Sequence, residues 1–294
     1  MESMKNARQT TLEYDGRIFS QKFDPISGIS EFQQMVLDHY TQHGRAMAWR
    51  NTTDPYNILV SEIMLQQTQV ERVLVKYPVF LAVFPDFATL AQAPLADILT
   101  AWQGMGYNQR AISLQKCAQR VMNEYGGVLP ADVDTLATFP GIGRATASSI
   151  CAFAFNMPVV FIETNIRRVF IHFFFSDTAS VSDAEILPLV KRAVYGENPR
   201  IWYWSLMDLG TALKKIVVNP NRRSIHYTKQ SPFEGSDRRI RGRIIALLLD
   251  TPNLTLNEIT VTFSEDPERI FRIIRALQDE GFIRCSQNRY SPAS

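Results

Sequence analysis

Residues 136–168 read LATFPGIGRATASSICAFAFNMPVVFIETNIRR and combine a tight turn with a helix. In the turn, Phe139–Arg144, one proline fixes φ, and two glycines permit positive φ and a close approach to a ligand. Small and apolar residues from Thr146 onwards predict a helix that ends near Pro158. The N-terminus of such a helix, preceded by exposed glycine N–H groups, binds anions, and a phosphodiester is a natural occupant.

A carboxylate follows this helix at a fixed distance. Glu163 comes first, and Asn165, Arg167 and Arg168 follow it. A GxG turn alone is equally typical of ordinary turn chemistry. Its combination with a helix, an acid and two basic residues is much more specific, and it favours a functional site.

Composition places the chain among ordinary globular proteins. It has 294 residues, of which 46% are hydrophobic and 20% charged, enough for two or three packed units. No apolar run reaches the ~18 residues that cross a bilayer, and the N-terminal residues are polar, so we expect a cytoplasmic protein without a membrane partner. The three cysteines, Cys117, Cys151 and Cys285, are far apart, which favours buried free thiols over a metal site and makes a disulfide framework unexpected.

Positive charge is concentrated in one segment. The net charge is only +2, yet residues 211–243 contain nine Lys or Arg and two acids. Such a segment on a nearly neutral protein predicts a strip that faces phosphate groups, although a solvated linker has the same composition. The arginines that we assign to DNA in this basic strip are Arg222, Arg223, Arg238, Arg239 and Arg241.

A second acid stands in an apolar context. Residues 56–70 predict a helix in which Glu62 precedes Ile63 and Met64. Burying an unpaired charge is costly, so Glu62 lies either on the polar edge of the helix or at a functional site. The amides after it, Gln66-Gln67, can reach into a duplex and fill the gap left by a displaced base, although glutamines are commonly plain surface residues. Tyr107 follows a Gly-Met-Gly turn and suits either a wedge between bases or a core position.

The fold class that we predict is all-α. Residues 1–29 lack a sustained period and are expected to form an irregular arm. Residues 30–235 predict a helical core made of a subdomain at about 56–160 and a second one from 30–55 plus 161–235. Residues 236–294 predict three helices and a hairpin, the order of a winged helix, whose third helix commonly enters a major groove; a protein contact is the competing role.

Five motifs resemble one family. The chain is similar to the helix-hairpin-helix (HhH-GPD) DNA glycosylase superfamily, in particular its adenine DNA glycosylase branch, which is related to endonuclease III. The resemblance covers roughly residues 30–210. The motifs, in chain order, are Ala48-Trp49-Arg50, Pro55-Tyr56, SEIMLQQTQV at 61–70, Gly104-Met105-Gly106-Tyr107 and residues 136–168.

The resemblance implies an endonuclease III-like fold of two helical domains that hydrolyses the N-glycosidic bond of a base flipped out of double-stranded DNA. It makes Glu62 the acid that protonates the base, with a pKa raised by apolar burial, and Glu163 the ionised carboxylate that stabilises the sugar cation. The hairpin is a candidate site for a monovalent cation. The implied DNA-binding residues are Gln66, Gln67, Thr68, Tyr107, Pro140, Gly141, Ile142, Gly143, Arg144, Thr146 and Asn165.

The chain departs from the family pattern at four points. Glu163 stands where the family normally has aspartate, so the geometry must be retuned. Ala145 replaces the attacking lysine of endonuclease III, which predicts a monofunctional enzyme. The C-terminal module differs from the Nudix-like domain of relatives that recognise 8-oxoguanine. Finally, the family usually has four cysteines that hold a [4Fe–4S] cluster, and we expect no cluster here because the corresponding positions hold Lys214, Asn221, Ser224 and Gln230.

The leading hypothesis is therefore a monofunctional DNA glycosylase of base excision repair that removes a mispaired base, with adenine as the expected base. The expected state is a nucleoid-associated monomer bound to a mispaired or damaged duplex. The alternative is a noncatalytic protein on the same fold, either one that binds DNA structures or a regulatory one. The third hypothesis is a glycosylase for another lesion. The sequence names neither the excised base nor the base opposite it.

Overall fold

The computed structural model describes residues 18–228 and 233–293. This part of the chain is mostly helical, which confirms the predicted fold class. The α-helices are α1 (Ile29–His43), α2 (Pro55–Leu65), α3 (Val70–Val83), α4 (Phe87–Gln92), α5 (Leu95–Trp102), α6 (Gln109–Tyr125), α7 (Val133–Leu136), α8 (Arg144–Phe155), α9 (Thr164–Phe174), α10 (Asp183–Ala193), α11 (Pro199–Ile216), α12 (Asp237–Asp250), α13 (Leu256–Val261) and α14 (Pro267–Asp279). Three short strands follow α12: β1 (Leu254–Thr255), β2 (Ile283–Ser286) and β3 (Arg289–Pro292).

The chain forms two compact units. Unit one contains Met1–Arg45 and Asn156–Thr228, and unit two contains Ala46–Phe155 and Lys229–Ser294. The boundary differs from the sequence-based one, since residues 46–55 belong to unit two. The C-terminal module, defined here as residues 237–293, also belongs to unit two. None of the helices in the described parts of the chain is both long and apolar enough to span a membrane.

Unit one is built from α1, α9, α10 and α11 around an aromatic core. Phe32 of α1 lies 5.4 Å from Phe170, 5.8 Å from Phe173 and 5.9 Å from Trp202, measured between ring centroids. All four rings are buried. Two of these three pairs are edge-on and the pair with Phe173 is tilted, and such aromatic packing stabilises a small core beyond the area that it buries.

The start of unit one packs against α9. Phe23 donates its backbone N–H to the carbonyl of Phe173 at 3.2 Å, and Lys22 Nζ donates to that of His172 at 3.0 Å. Residues 18–28 are therefore bound to the unit, and their longest regular element is the short 3-10 helix Ile18–Ser20. Residues 1–17 of the predicted irregular arm lie outside the described chain. α1 begins at Ile29, with Gly28 as its N-cap.

The helical part of unit two runs from α2 to α8. The predicted helix 56–70 is shorter in the structure, because α2 ends at Leu65 and a turn separates it from α3. α7, the loop that follows it and α8 form the helix-hairpin-helix. Gly141 in that loop has φ +73°, and a Cβ there would lie 2.8 Å from the Cβ of Ser113. Glycine is therefore required both by the backbone conformation and by the approach to α6.

The C-terminal module has the order α12-β1-α13-α14-β2-β3. The three helices and the hairpin agree with the prediction from the sequence. The strand β1 was not predicted, because two residues are too few to show the alternation of apolar and polar residues that indicates a strand. The sheet order is β1-β3-β2, with both pairs antiparallel. α14 buries one face at helical spacing, formed by Ile270, Ile273, Ile274 and Leu277.

Candidate active site and nucleic-acid interface

α2 carries Glu62 on a helix whose other residues are largely buried. Pro55 suits the first helical position, and the Asp54 carboxylate accepts a hydrogen bond from the backbone N–H of Asn57 at 3.0 Å. Seven residues of α2 are buried, and Glu62 is half-buried. The carboxylate thus lies at the edge of an apolar helix, where it is partly withdrawn from water.

A hydroxyl group of α8 binds the Glu62 carboxylate. Ser149, buried in α8, has its Oγ 2.5 Å from Glu62 Oε2 and 2.9 Å from the carbonyl oxygen of Thr146. A hydroxyl has one proton, which Ser149 donates to the carboxylate when Glu62 is ionised. When Glu62 is protonated, Ser149 accepts from it and donates to Thr146. Both protonation states of Glu62 therefore keep a partner. Sequence reasoning missed Ser149, which lies 87 residues away in the chain.

Arg110 of α6 is a second residue that sequence reasoning missed. Its buried guanidinium donates to three carbonyl groups at the end of α2, those of residues 63, 64 and 66, at 2.6–3.0 Å. It also donates to the carbonyl groups of Met105 and Gly106 at 3.2 and 2.9 Å. Burial lowers the pKa of Arg110 to about 10, so the group stays charged at neutral pH. One cation thus joins the end of the Glu62 helix to the turn before α6.

The two loops that Arg110 joins carry four of the predicted DNA-binding residues. Gln67 is exposed with φ +53°, and Tyr107 is half-buried with φ +47°. Left-handed backbone is uncommon outside glycine and is found at functional sites. Thr68 Oγ1 accepts a hydrogen bond from Arg110 at 3.0 Å. Gln66 Nε2 lies 3.2 Å from the carbonyl oxygen of Gly141 and 3.3 Å from Thr146 Oγ1, so its amide holds the hairpin instead of reaching outward.

The hairpin presents the start of α8 to solvent. Gly141, Gly143 and Arg144 are exposed, Pro140 and Thr146 are half-buried, and the first N–H groups of α8 lie beside them. Ile142 is an exception among the predicted DNA-binding residues: its side chain is 4% exposed and belongs to the core, so only its backbone is available. Arg144 pairs with Asp134 at 2.6 Å, and because both side chains are exposed this pair contributes little and can give way to a phosphate.

Glu163 lies in unit one as the N-cap of α9. Its Oε1 accepts the backbone N–H groups of Asn165 at 2.6 Å and Ile166 at 2.9 Å. Burial raises the pKa of Glu163 above its ordinary value, and these two hydrogen bonds and the charges of Arg168 and Arg167 oppose that rise. The expectation of a carboxylate that stays fully ionised is thus met only when the pH is above this raised pKa.

Polar side chains around Glu163 are already engaged. Asn165 Nδ2 lies 3.3 Å from Glu163 Oε2, and its Oδ1 accepts from Arg168 at 2.6 Å, so the structure places Asn165 as a support for Glu163. Arg167 pairs with Asp183 through two bonds of 2.6 and 2.7 Å. α11 approaches closely at Gly210, where a Cβ would lie 2.6 Å from that of Asn165.

The basic strip is not one free surface. Arg223 donates to the carbonyl groups of Phe175, Ser176 and Thr178, which follow the end of α9. Carbonyl groups at the end of a helix need hydrogen-bond donors from elsewhere. The prediction that Arg223 binds DNA is therefore wrong, and its role is structural. The other four arginines differ from one another. Arg222 is exposed, Arg238 donates to Tyr107 Oη, Arg239 pairs with Glu234 at 2.7 Å, and Arg241 pairs with Glu280 at 2.5 Å.

Two of the four positions that the resemblance assigns to cluster ligands lie in a hydrogen-bonded turn. Asn221 is buried and donates from Nδ2 to the carbonyl of Thr164 at 2.9 Å. Ser224 is buried next to Val181, with which it forms a parallel bridge. Lys214 is exposed, and Gln230 lies outside the described residues. These donors include no thiolate and do not fit an iron–sulfur cluster.

The chain matches the model of the "HhH-GPD superfamily base excision DNA repair protein" family over residues 60–189. It is 31% identical over 268 residues to the adenine DNA glycosylase of Mycolicibacterium smegmatis, covering 84% of this chain and 91% of that protein. It is also 31% identical to the adenine DNA glycosylase of Mus musculus, covering 76% of this chain but only 45% of the mouse protein.

Solved structures share the fold. A thermostable thymine-DNA glycosylase superposes with a TM-score of 0.55 at 26% identity, covering 62% of this chain and 85% of that one. An endonuclease III in a non-covalent DNA complex superposes with a TM-score of 0.53 at 20% identity, covering 70% and 90%. This fold carries the carboxylates of Glu62 and Glu163 and the glycine hairpin. The chain belongs to the adenine DNA glycosylase family of HhH-GPD base excision repair proteins.

Proposed function

We propose that the chain is a monofunctional glycosylase that acts as a monomer and hydrolyses the N-glycosidic bond of adenine mispaired in double-stranded DNA. The observation that carries this proposal is the half-buried Glu62, held at 2.5 Å by Ser149 on a helix that is otherwise apolar. A protein that only binds DNA has no need of an acid in that place. The relatives named above are adenine DNA glycosylases, which favours adenine over other bases.

In the proposed reaction, Glu62 transfers its proton to the adenine ring, and the bond between that ring and the sugar C1′ breaks. The bonding electrons leave with the base, and the sugar acquires the character of a cation. Glu163 offsets this positive charge, and a water molecule adds to C1′ and loses a proton, which returns Glu62 from the carboxylate to the acid. Ala145 offers no amine to the sugar, so the product is an abasic site without strand cleavage. Neither step calls on a cluster, whose ligands the chain lacks.

The test is base release from a panel of end-labelled duplexes that contain A:8-oxoguanine, A:G, uracil, thymine glycol or an alkylated purine. We expect release from the adenine mispairs, revealed as strand breaks only after alkali. Breaks before alkali would contradict the monofunctional mechanism. Release of another base alone would assign a different lesion, and no release from any duplex would favour the noncatalytic alternative.

Ser149→Ala is expected to shift the pH dependence of that reaction. The hydroxyl bonds to Glu62 in both protonation states, but its bond to the ionised carboxylate is charge-assisted and the stronger of the two. Its loss therefore disfavours the ionised form relative to the protonated acid. Activity that depends on the protonated acid should then persist to higher pH, and the alkaline limb of the single-turnover profile should move upward. Ser148→Ala, a buried neighbour on the same helix, is the matched control and should leave that limb in place. An unmoved limb in Ser149→Ala would remove Ser149 from the proton transfer.

A further inference from the structure

One face of α6 lies along the entry to the hairpin. Ser113, Cys117 and Arg120 follow one another at helical spacing, so their side chains lie on the same side of α6. Ser113 lies against Gly141, Cys117 binds the residue before it, and Arg120 binds the residues before that one. From the sequence, Cys117 was expected to be only a buried free thiol. The structure shows instead that it belongs to a row of side chains that holds the hairpin.

The thiol of Cys117 binds the central peptide group of the hairpin. Its Sγ lies 3.2 Å from the carbonyl oxygen of Pro140, and the side chain is fully buried. A thiol is a weak donor, and it donates only while it keeps its proton. Burial raises the pKa of Cys117 to about 12, so the thiol stays protonated at neutral pH. The bond to Pro140 is therefore present under the conditions in which the protein meets DNA.

This bond fixes the direction of a neighbouring N–H group. In the hairpin turn, the N–H of Ile142 donates to the carbonyl of Phe139 at 3.1 Å and Gly141 has φ +73°, as in a type II turn. The C=O and the N–H of a trans peptide point in opposite directions. Because the carbonyl of Pro140 faces the buried thiol, the N–H of Gly141 points away from α6. Gly141 is exposed, and no group in the described part of the chain accepts this N–H.

Arg120 fixes the two residues that lead into the turn. Its Nη1 donates to the carbonyl oxygen and to the hydroxyl oxygen of Thr138, at 2.9 Å each. Its guanidinium carbon lies 4.5 Å from the centre of the Phe139 ring, over which the cation is attracted. Since Thr138 and Phe139 directly precede Pro140, a shift of either residue would reorient the peptide that follows.

We propose that α6 orients the Pro140–Gly141 peptide for a DNA phosphate, and that Cys117 and Arg120 are the positioning residues. An outward N–H beside the start of a helix is a natural donor to a phosphate oxygen. Such a bond is strong because its acceptor is charged, and it weakens steeply when it is misaligned. The proposal rests on the duplex binding that the proposed function requires, and it is independent of the chemistry at Glu62.

The experiment measures the equilibrium affinity of the full chain for duplexes that carry a tetrahydrofuran abasic analogue, so that binding does not depend on which base is excised. A series of such duplexes replaces one backbone phosphate at a time with a neutral methylphosphonate. Cys117→Ala should weaken binding to the unmodified duplex by about tenfold, the loss expected for one hydrogen bond to a charged group.

The replacement of one phosphate should distinguish the variant from the native protein. At the phosphate that Gly141 binds, the native protein should lose about tenfold in affinity and Cys117→Ala should lose little more, because the bond is already lost. At every other phosphate the two proteins should lose affinity equally. Cys117→Ser keeps a donor toward Pro140 and should recover most of the affinity.

Cys151→Ala is the matched control for Cys117→Ala, because it removes a second fully buried thiol of the same unit. It should bind every duplex as the native protein does. Equal losses at all phosphates in Cys117→Ala, the same profile in Cys151→Ala, or no recovery in Cys117→Ser would assign the effect to packing and overturn the role of the thiol.

Arg120→Ala should show its coupling at the same phosphate as Cys117→Ala. Glu124→Gln is its control, since this variant removes the exposed carboxylate that Arg120 Nε binds at 2.8 Å but leaves the bonds to Thr138. It should keep the native affinity. Coupling of Arg120→Ala to a different phosphate would make Arg120 a direct DNA contact and would contradict its role in positioning the hairpin.

Failure of this inference differs from failure of the proposed function. A native protein that shows the coupling between Cys117 and one phosphate but releases no base would keep the positioning role and lose the catalytic one. A native protein that releases adenine while Cys117→Ala binds every duplex normally would do the reverse.

Discussion

Glu62→Gln is expected to slow the single-turnover release of adenine by about 10²–10⁴-fold, the contribution of a positioned general acid. Glutamine keeps the size of the side chain, and its amide oxygen can still accept the hydroxyl proton of Ser149. It has no proton of sufficient acidity to give to the base. The loss should therefore appear in the chemical step, with duplex affinity changed by about twofold at most.

The matched control is Glu124→Gln, which removes the same charge from an exposed residue of α6 that pairs with Arg120. Exposed pairs contribute about 0–1 kcal/mol, so this variant should release adenine at the native rate. Substrate excess must be avoided, because slow product release would hide the chemical step. Excision by Glu62→Gln at the native rate would contradict the role of Glu62 as the acid.

The helical fold was predictable because its signals are local. Proline and glycine mark the ends of most elements, and α14, which begins at Pro267, repeats its apolar residues at helical spacing. Bounds were less predictable where two elements meet. α2 ends at Leu65, where the buried Arg110 donates hydrogen bonds to the last carbonyl groups of the helix. That arginine lies 44 residues or more from them in the chain, so no local signal predicts this end.

The site was predictable in its acids but not in their partners. Glu62 and Glu163 are visible as carboxylates in recognisable motifs, whereas the bond from Ser149 to Glu62 depends on how α8 packs against α2. Arg223 shows the opposite difficulty. It looks like one more cation of a basic strip, yet the carbonyl groups after α9 bind it. Net charge along a segment cannot distinguish an arginine that faces solvent from one that caps a helix.

Glu163→Gln is expected to slow adenine release by about 10²–10³-fold, the usual loss when one group that stabilises transition-state charge is removed. The amide oxygen of glutamine can accept the backbone N–H groups of Asn165 and Ile166, so α9 keeps its N-cap. Glu163→Asp restores the residue that the family normally has and should retain most of the activity. The measurement is again single-turnover base release. The test of folding is binding to a duplex that carries 2′-fluoro-2′-deoxyadenosine, which resists excision.

The raised pKa of Glu163 adds a pH signature to this prediction. Native activity should fall as the pH decreases through that pKa, because protonation removes the charge that offsets the sugar cation. Burial makes the pKa of Glu163 higher in the folded protein than in the unfolded chain. The folded protein therefore loses stability as the pH rises over the interval from the unfolded-state pKa to the folded-state pKa. The free energy of unfolding of Glu163→Gln, relative to the native protein, should therefore increase with pH across the same interval.

Ser182→Ala separates the charge of Glu163 from its capping role. Ser182 caps α10 in the same unit and forms a capping box with Glu185, so its loss should cost about 1 kcal/mol of stability without changing base release. If Glu163 acts through its charge, only Glu163→Gln should release adenine more slowly, and only its activity should no longer fall as the pH decreases through the pKa of Glu163. Equal rates in Glu163→Gln and the native protein, or a similar loss in Ser182→Ala, would reduce Glu163 to the N-cap of α9.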